Sequence, residues 1–221
     1  MGFDLDIISK RGLQFFGKIS ASISHEIKNV LAVLNENAGL LEDLVLIAEK
    51  GGTINHERFK SLAGSMKKQV QRADLIVNNM NRFAHSVDEF LYSIDLCETL
   101  GLVTSLSVRF ADMRGVELCP LYSNDRINIT TNPFLLENLL WCCLDFATTV
   151  TGEGKTVRII VGEKEDRAWI EFAGLQKLTS MAPDIFPSER ERDLIRALDA
   201  EIETNTGAGQ FIVKLPKKIN L

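Results

Sequence analysis

No stretch of this 221-residue chain approaches the roughly 20 consecutive apolar residues that a bilayer-spanning helix requires, so no membrane is expected as a partner. Basic residues are too few for a nucleic-acid binder. Lys and Arg number 25 against 30 Asp and Glu, a net charge of −5, and phosphate neutralisation requires a basic face. The N-terminus has neither a signal-peptide pattern nor an acylation motif, because Asp6 stands where that motif requires Ser or Thr. Cysteine is scarce and unpaired in pattern. Cys97, Cys119, Cys142 and Cys143 show no C-x-x-C spacing and sit in apolar contexts, which suits reduced thiols in a cytoplasmic protein. The sequon Asn128-Ile129-Thr130 is accordingly read as chance.

Two familiar catalytic motifs are half present and fail on inspection. Gly154-Lys155-Thr156 ends like a phosphate-binding loop, but Thr149 replaces the first glycine, and a helical pattern precedes it where a strand is needed. His25-Glu26 opens like a zinc-protease motif, but Asn29 replaces the second histidine.

Helical periodicity is abundant. From Phe3 to about Lys50, Phe16, Ile19, Ile23, Ile27, Val30, Leu34, Leu41, Val45 and Ala48 step by threes and fours, with Ala38 filling the gap. Gly51-Gly52 stops this helix and Asn55 caps the next, which runs from His56 to about Tyr92. Its seam is Phe59, Leu62, Met66, Val70, Ala73, Ile76, Met80, Phe83, Val87 and Leu91. A short loop between two long helices predicts an antiparallel hairpin, and a seam this wide predicts a second copy closing a four-helix bundle, hence a homodimer.

After Ser93-Ile94-Asp95 the pattern changes, which predicts one domain over 1–93 and another over 94–221. The second contains helices over Leu96–Arg114, Phe134–Thr149 and Glu189–Ala200. Strands are expected at Val116–Leu118, Ile127–Thr130, Thr156–Val161, Ala168–Phe172, Glu201–Thr204 and Gln210–Leu215. Asn132-Pro133 starts the middle helix, and Pro183 and Pro187 punctuate a loop. The fold class is α+β: a helical hairpin, then an α/β sandwich whose mostly antiparallel sheet is covered on one side by helices.

His25 stands out chemically. With about 100° per residue it lies roughly 200° from Ile23, nearly opposite the seam and in water. A neutral imidazole nitrogen is a competent nucleophile near neutral pH when the other nitrogen is held in one tautomer. Glu26, next in sequence, is the candidate acceptor for a ring proton. Asn29, one turn along, is a candidate for orienting a phosphoryl oxygen or water, and Lys28 for attracting an anionic partner. His85 also faces away from its seam, but no acid adjoins it, and it is read with His56 as a surface histidine.

Ser24-His25-Glu26-Ile27-Lys28-Asn29 closely resembles the phosphoacceptor box of two-component sensor histidine kinases, with Val30-Leu31 where that family has Pro-Leu. The family places the box on the first helix of a dimeric hairpin, followed by an ATP-binding α/β sandwich, an architecture that covers nearly the whole chain. The resemblance fails in the ATP boxes. Asn138-Leu139-Leu140-Trp141-Cys142-Cys143 puts Cys142 where the family has its magnesium-binding Asn, and a thiol suits that hard cation poorly. Ala173-Gly174-Leu175 has no Asp and one Gly where an Asp-x-Gly-x-Gly box is due. Pro187 to Arg192 is acidic and glycine-free where a phosphate-covering loop is due, and the lid, Gln176 to Phe186, is short.

The resemblance therefore implies a phosphorelay histidine phosphotransferase on a degenerate kinase-like sandwich. A receiver-domain aspartate hands a phosphoryl group to His25, which passes it to a second receiver. ATP binding is expected to be lost, and magnesium is supplied by the receiver. The receiver is expected to dock near Phe15, Lys18, Ser22 and Lys28. Other readings are a dimeric pseudokinase scaffold that binds a response regulator without transfer, and a divergent ATP-dependent sensor kinase. The retained His25-Glu26-Asn29 trio argues against a pure scaffold, and the missing sensory or membrane segment favours a relay over a sensor.

Overall fold

The computed structural model describes residues 5–53, 55–122, 126–182 and 184–219. The expectations that rest on Met1 to Asp4, Ile54 and Pro183 lie outside these. The chain divides into two compact units, Gly17–Arg82 and Met1–Phe16 joined with Phe83–Leu221.

The first unit is the helical hairpin. Helix α1, Leu5–Glu49, runs through 45 residues. It ends in a Schellman motif: Gly51 N–H donates to the Ala48 carbonyl and Gly52 N–H to the Ile47 carbonyl, each at 2.9 Å. Gly51 has φ +80°, a conformation that favours glycine. Helix α2, His56–Ala84, starts where the Asn55 side chain accepts from Glu57 N–H and Arg58 N–H at 3.1 and 3.2 Å. Ile19, Ser22, Ile23, Val30, Asn37 and Leu44 form the buried stripe of α1, with Leu62 and Ile76 on α2. This corrects the expected seam at Ala38 and Val45, which are exposed, as is Phe16. From Ile23 onward the buried positions keep a strict seven-residue step, which places the polar Asn37 in the seam. Its burial is offset by a hydrogen bond, Nδ2 to the Ser65 hydroxyl at 3.0 Å.

Helix α2 stops at Ala84, eight residues before its expected end. There the Ser86 hydroxyl donates to the Phe83 carbonyl at 2.7 Å, diverting a helix acceptor, and His85–Val87 tightens into a 3-10 turn. Tyr92–Asp95 is then strand β1, paired antiparallel with β3, Asn128–Thr131.

The second unit is the sandwich. Helix α3, Leu96–Asp112, begins at Asp95, whose carboxylate accepts from Cys97 N–H and Glu98 N–H. Strand β2 is Val116–Leu121, and helix α4, Pro133–Thr151, follows the Asn132 cap. Strands β4, Lys155–Lys164, and β5, Arg167–Ala173, precede helix α5, Glu189–Ala197, and the hairpin of β6, Glu201–Asn205, with β7, Gln210–Pro216. The sheet order is β2-β4-β5-β7-β6, antiparallel except for β2 with β4. Pro120 is tolerated because β2 is an edge strand. Helix α4 is apolar on almost every face and by length and composition alone could cross a membrane, yet it is mostly buried, as a core helix is. Leu136, Leu139, Leu140 and Leu144 from it join Val157, Ile159, Ile170, Phe172, Phe211 and Val213 from the sheet in the core. Phe15, in the part of α1 that belongs to this unit, is fully buried. It meets Phe83 edge-on at 5.2 Å and lies 5.7 Å from Phe134 and 5.6 Å from Trp141.

Candidate functional site

His25 is exposed on α1. Its ring Nδ1 lies 3.2 Å from Asn29 Nδ2, one turn along. An amide nitrogen only donates, so this contact occupies the Nδ1 lone pair and leaves the ring proton on Nε2. Turning the Asn29 amide by 180° puts its oxygen in the same place. That oxygen accepts from a protonated Nδ1 and leaves the Nε2 lone pair free in water. The orientation of the Asn29 amide thus sets which ring nitrogen carries the proton.

Glu26 does not hold the ring. Its carboxylate points to α2, where Arg72 Nη2 lies 3.6 Å from Oε2, and its side chain is 21% exposed. Adjacent residues on a helix are about 100° apart and do not share a face, whereas i and i+4 do. That rule, applied to the sequence, favours Asn29 over Glu26 as the residue in contact with the ring. Nothing in the α2 sequence pattern marks Arg72 as the cation that lies opposite Glu26.

The expected docking residues separate. Lys18 and Lys28 are exposed. Phe15 is 0% exposed and Ser22 3%, so neither can touch a partner in this conformation. Phe15 belongs to the aromatic cluster. Ser22 lies in the buried stripe beside Ile23, its hydroxyl without a hydrogen-bond partner among the described residues.

A second histidine is better oriented than its sequence neighbours suggested. His85 Nδ1 lies 2.7 Å from Asp88 Oδ2, three residues on. The acid reaches it because the chain makes a 3-10 turn there, in which residues three apart lie one above the other.

In the sandwich, Asn138 is 1% exposed and Cys142 4%. The Cys142 thiol lies 3.8 Å from Asn138 Oδ1. Burial, then Cys142, then Glu191 raise the Cys143 thiol well above its ordinary pKa and keep it protonated. Gly174 has φ +89°, and a Cβ there would come within 2.7 Å of the Thr156 carbonyl oxygen, so the fold itself requires this glycine. Glu191 is 6% exposed and accepts from Ser188 N–H at 2.9 Å and from the Ser188 hydroxyl. This is a capping box, with the chain's own carboxylate at the N-terminus of α5 where an anion would otherwise be favoured. Phe146 stacks on Phe186 at 4.3 Å, and Phe186 lies 4.9 Å from Phe211, which fills the space between α4, the sheet and the segment before α5.

No protein-family model matches the sequence. A search of the curated proteins finds no match. Among solved structures, the chain is similar to the catalytic domain of histidine kinase ThkA in a nucleotide-free form, at 16% identity and TM-score 0.47, over 59% of this chain and 99% of that one. It is similar to Acinetobacter baumannii histidine kinase AdeS at 16% identity and TM-score 0.45, over 83% of this chain and 96% of that one. ShkA, full-length in complex with AMPPNP, is 17% identical with TM-score 0.48, over 90% of this chain and 45% of that one.

Proposed function

We propose that the protein is a histidine phosphotransferase of a two-component phosphorelay, working as a homodimer through its helical hairpin. The observation that carries the proposal is His25, an exposed imidazole with the Asn29 side chain 3.2 Å from Nδ1. With Asn29 Oδ1 accepting from Nδ1–H, the Nε2 lone pair attacks the phosphorus of a receiver's aspartyl phosphate. The bond from phosphorus to the aspartate oxygen breaks, and its electron pair leaves with the carboxylate. The Nδ1 proton, oriented by its hydrogen bond to Asn29 Oδ1, is then released to water, and the phosphorylated ring ends neutral. The reverse step loads a second receiver, and the receiver brings its own magnesium.

Glu26 joins this chemistry only by leaving Arg72; held as it is, it ties α1 to α2 beneath the histidine. Lys18 and Lys28 remain the charged docking residues. Three features support transfer without ATP-dependent autophosphorylation: Cys142 in place of a magnesium ligand, Glu191 closing the N-terminus of α5, and the Phe146, Phe186 and Phe211 stack. The test is acceptance of labelled phosphoryl groups from phosphorylated receivers by wild type and His25→Ala. Labelling that survives in His25→Ala, on a receiver route, defeats the proposal.

A further inference from the structure

We propose that His85 is a second nucleophilic histidine, able to take a phosphoryl group from a small activated phosphate of the acyl-phosphate or phosphoramidate class. Its geometry meets the requirement that Glu26 does not meet at His25: a carboxylate on Nδ1. His85 Nδ1 donates to Asp88 Oδ2 at 2.7 Å, and the side chain is 76% exposed, which leaves Nε2 in water with its lone pair outward. The pairing is preorganised from both sides. On one side Phe83 is buried in the aromatic cluster, Ser86 hydrogen-bonds to its carbonyl, and Asp88 N–H donates to the His85 carbonyl at 3.2 Å. On the other, Asn132 Nδ2 donates to the Phe90 carbonyl at 3.0 Å and pins the far end of the loop. Val87, Phe90 and Tyr92, in the same segment of the chain, are exposed.

In the transfer step the Nε2 lone pair attacks phosphorus. The bond from phosphorus to the leaving group breaks, and its electrons go to that group, a carboxylate or, after protonation, ammonia. The Nδ1 proton moves onto Asp88, which releases it to water, so the phosphorylated ring ends neutral. Asp88 is a positioning residue here.

The experiment treats the full chain with phosphoramidate and follows phosphohistidine at each histidine by tandem mass spectrometry. Exposed His56, whose ring has no carboxylate partner among the described residues, is the internal reference. Labelling of His85 at least about tenfold faster than His56, retained in His25→Ala, is expected. Asp88→Asn is expected to bring His85 down to the His56 rate and Asp88→Glu to restore much of the difference, with helix content by circular dichroism unchanged in both. Equal rates at His85 and His56 in the wild type, or a His85 rate indifferent to Asp88→Asn, overturn the proposal. Neither result bears on transfer from receivers through His25.

Discussion

In the proposed transfer a single amide sets the state of His25. Because Asn29 contacts Nδ1 from the next turn, the orientation of its side chain decides whether Nε2 carries the proton or presents its lone pair. Asn29→Ala is expected to slow phosphoryl acceptance about tenfold, the value of one neutral hydrogen bond near 1.4 kcal/mol. Asn29→Asp is expected to match or exceed the wild-type rate, since a carboxylate can only accept from Nδ1–H. Single-turnover transfer from a phosphorylated receiver measures both. The histidine and the amide were legible in the sequence because helical spacing alone puts positions 25 and 29 on one exposed face. The partners of Glu26 and His85 were not. The first depends on which α2 residue comes alongside, and the second on a 3-10 turn that the continuing apolar repeat to Leu91 concealed.

Buried Cys143 gives a second residue-scale expectation. Its raised folded pKa means that the unfolded chain loses this proton first as pH rises. The stabilisation it provides is whole below the unfolded thiol pKa, about 8.5, and is lost as pH rises above it. Thermal melts across alkaline pH are expected to fall less steeply for Cys143→Ala than for wild type.

Among the elements, caps and register residues fix where the helices start, stop and pair. Asn132 accepts from Leu135 N–H at 2.9 Å at the start of α4 and also donates to Phe90, so Asn132→Ala is expected to cost about 1–2 kcal/mol in denaturant unfolding. The caps at Asn55 and Asn132 and the stop at Gly51 were readable because each uses local chemistry. Strand β1 was not, since its ladder partner among the described residues lies in β3, more than thirty residues on. Asn37 escaped for a related reason: an apolar template chose Ala38, whereas the seven-residue step and the Ser65 hydroxyl chose Asn37. Asn37→Leu removes that pair and is expected to raise the melting temperature while broadening the oligomer distribution, read by light scattering after gel filtration.

For the whole molecule, the hairpin leaves Val70, Val77 and Met80 exposed along one side of α2. A single copy has no use for that stripe, and the proposed dimer covers it. Val77→Asp is expected to shift the protein from dimer to monomer in sedimentation experiments; an unchanged mass removes α2 from the interface. The sandwich was legible as a fold because its strands alternate and its helices are capped locally. What fills the space between α4, the sheet and the segment before α5 depends on side chains distant in sequence, Phe146, Phe186 and Phe211, and only the structure brings them together.

Transfer through His25 without this chain's own ATP chemistry can be read in one paired measurement on the 221-residue chain. Phosphorylated receivers and magnesium ATP are each offered as the labelled donor to wild type and His25→Ala, and acid-labile phosphohistidine is followed over time. Label is expected on wild type from receivers only, and none from receivers on His25→Ala. Label from ATP on wild type, or undiminished label from receivers on His25→Ala, contradicts it.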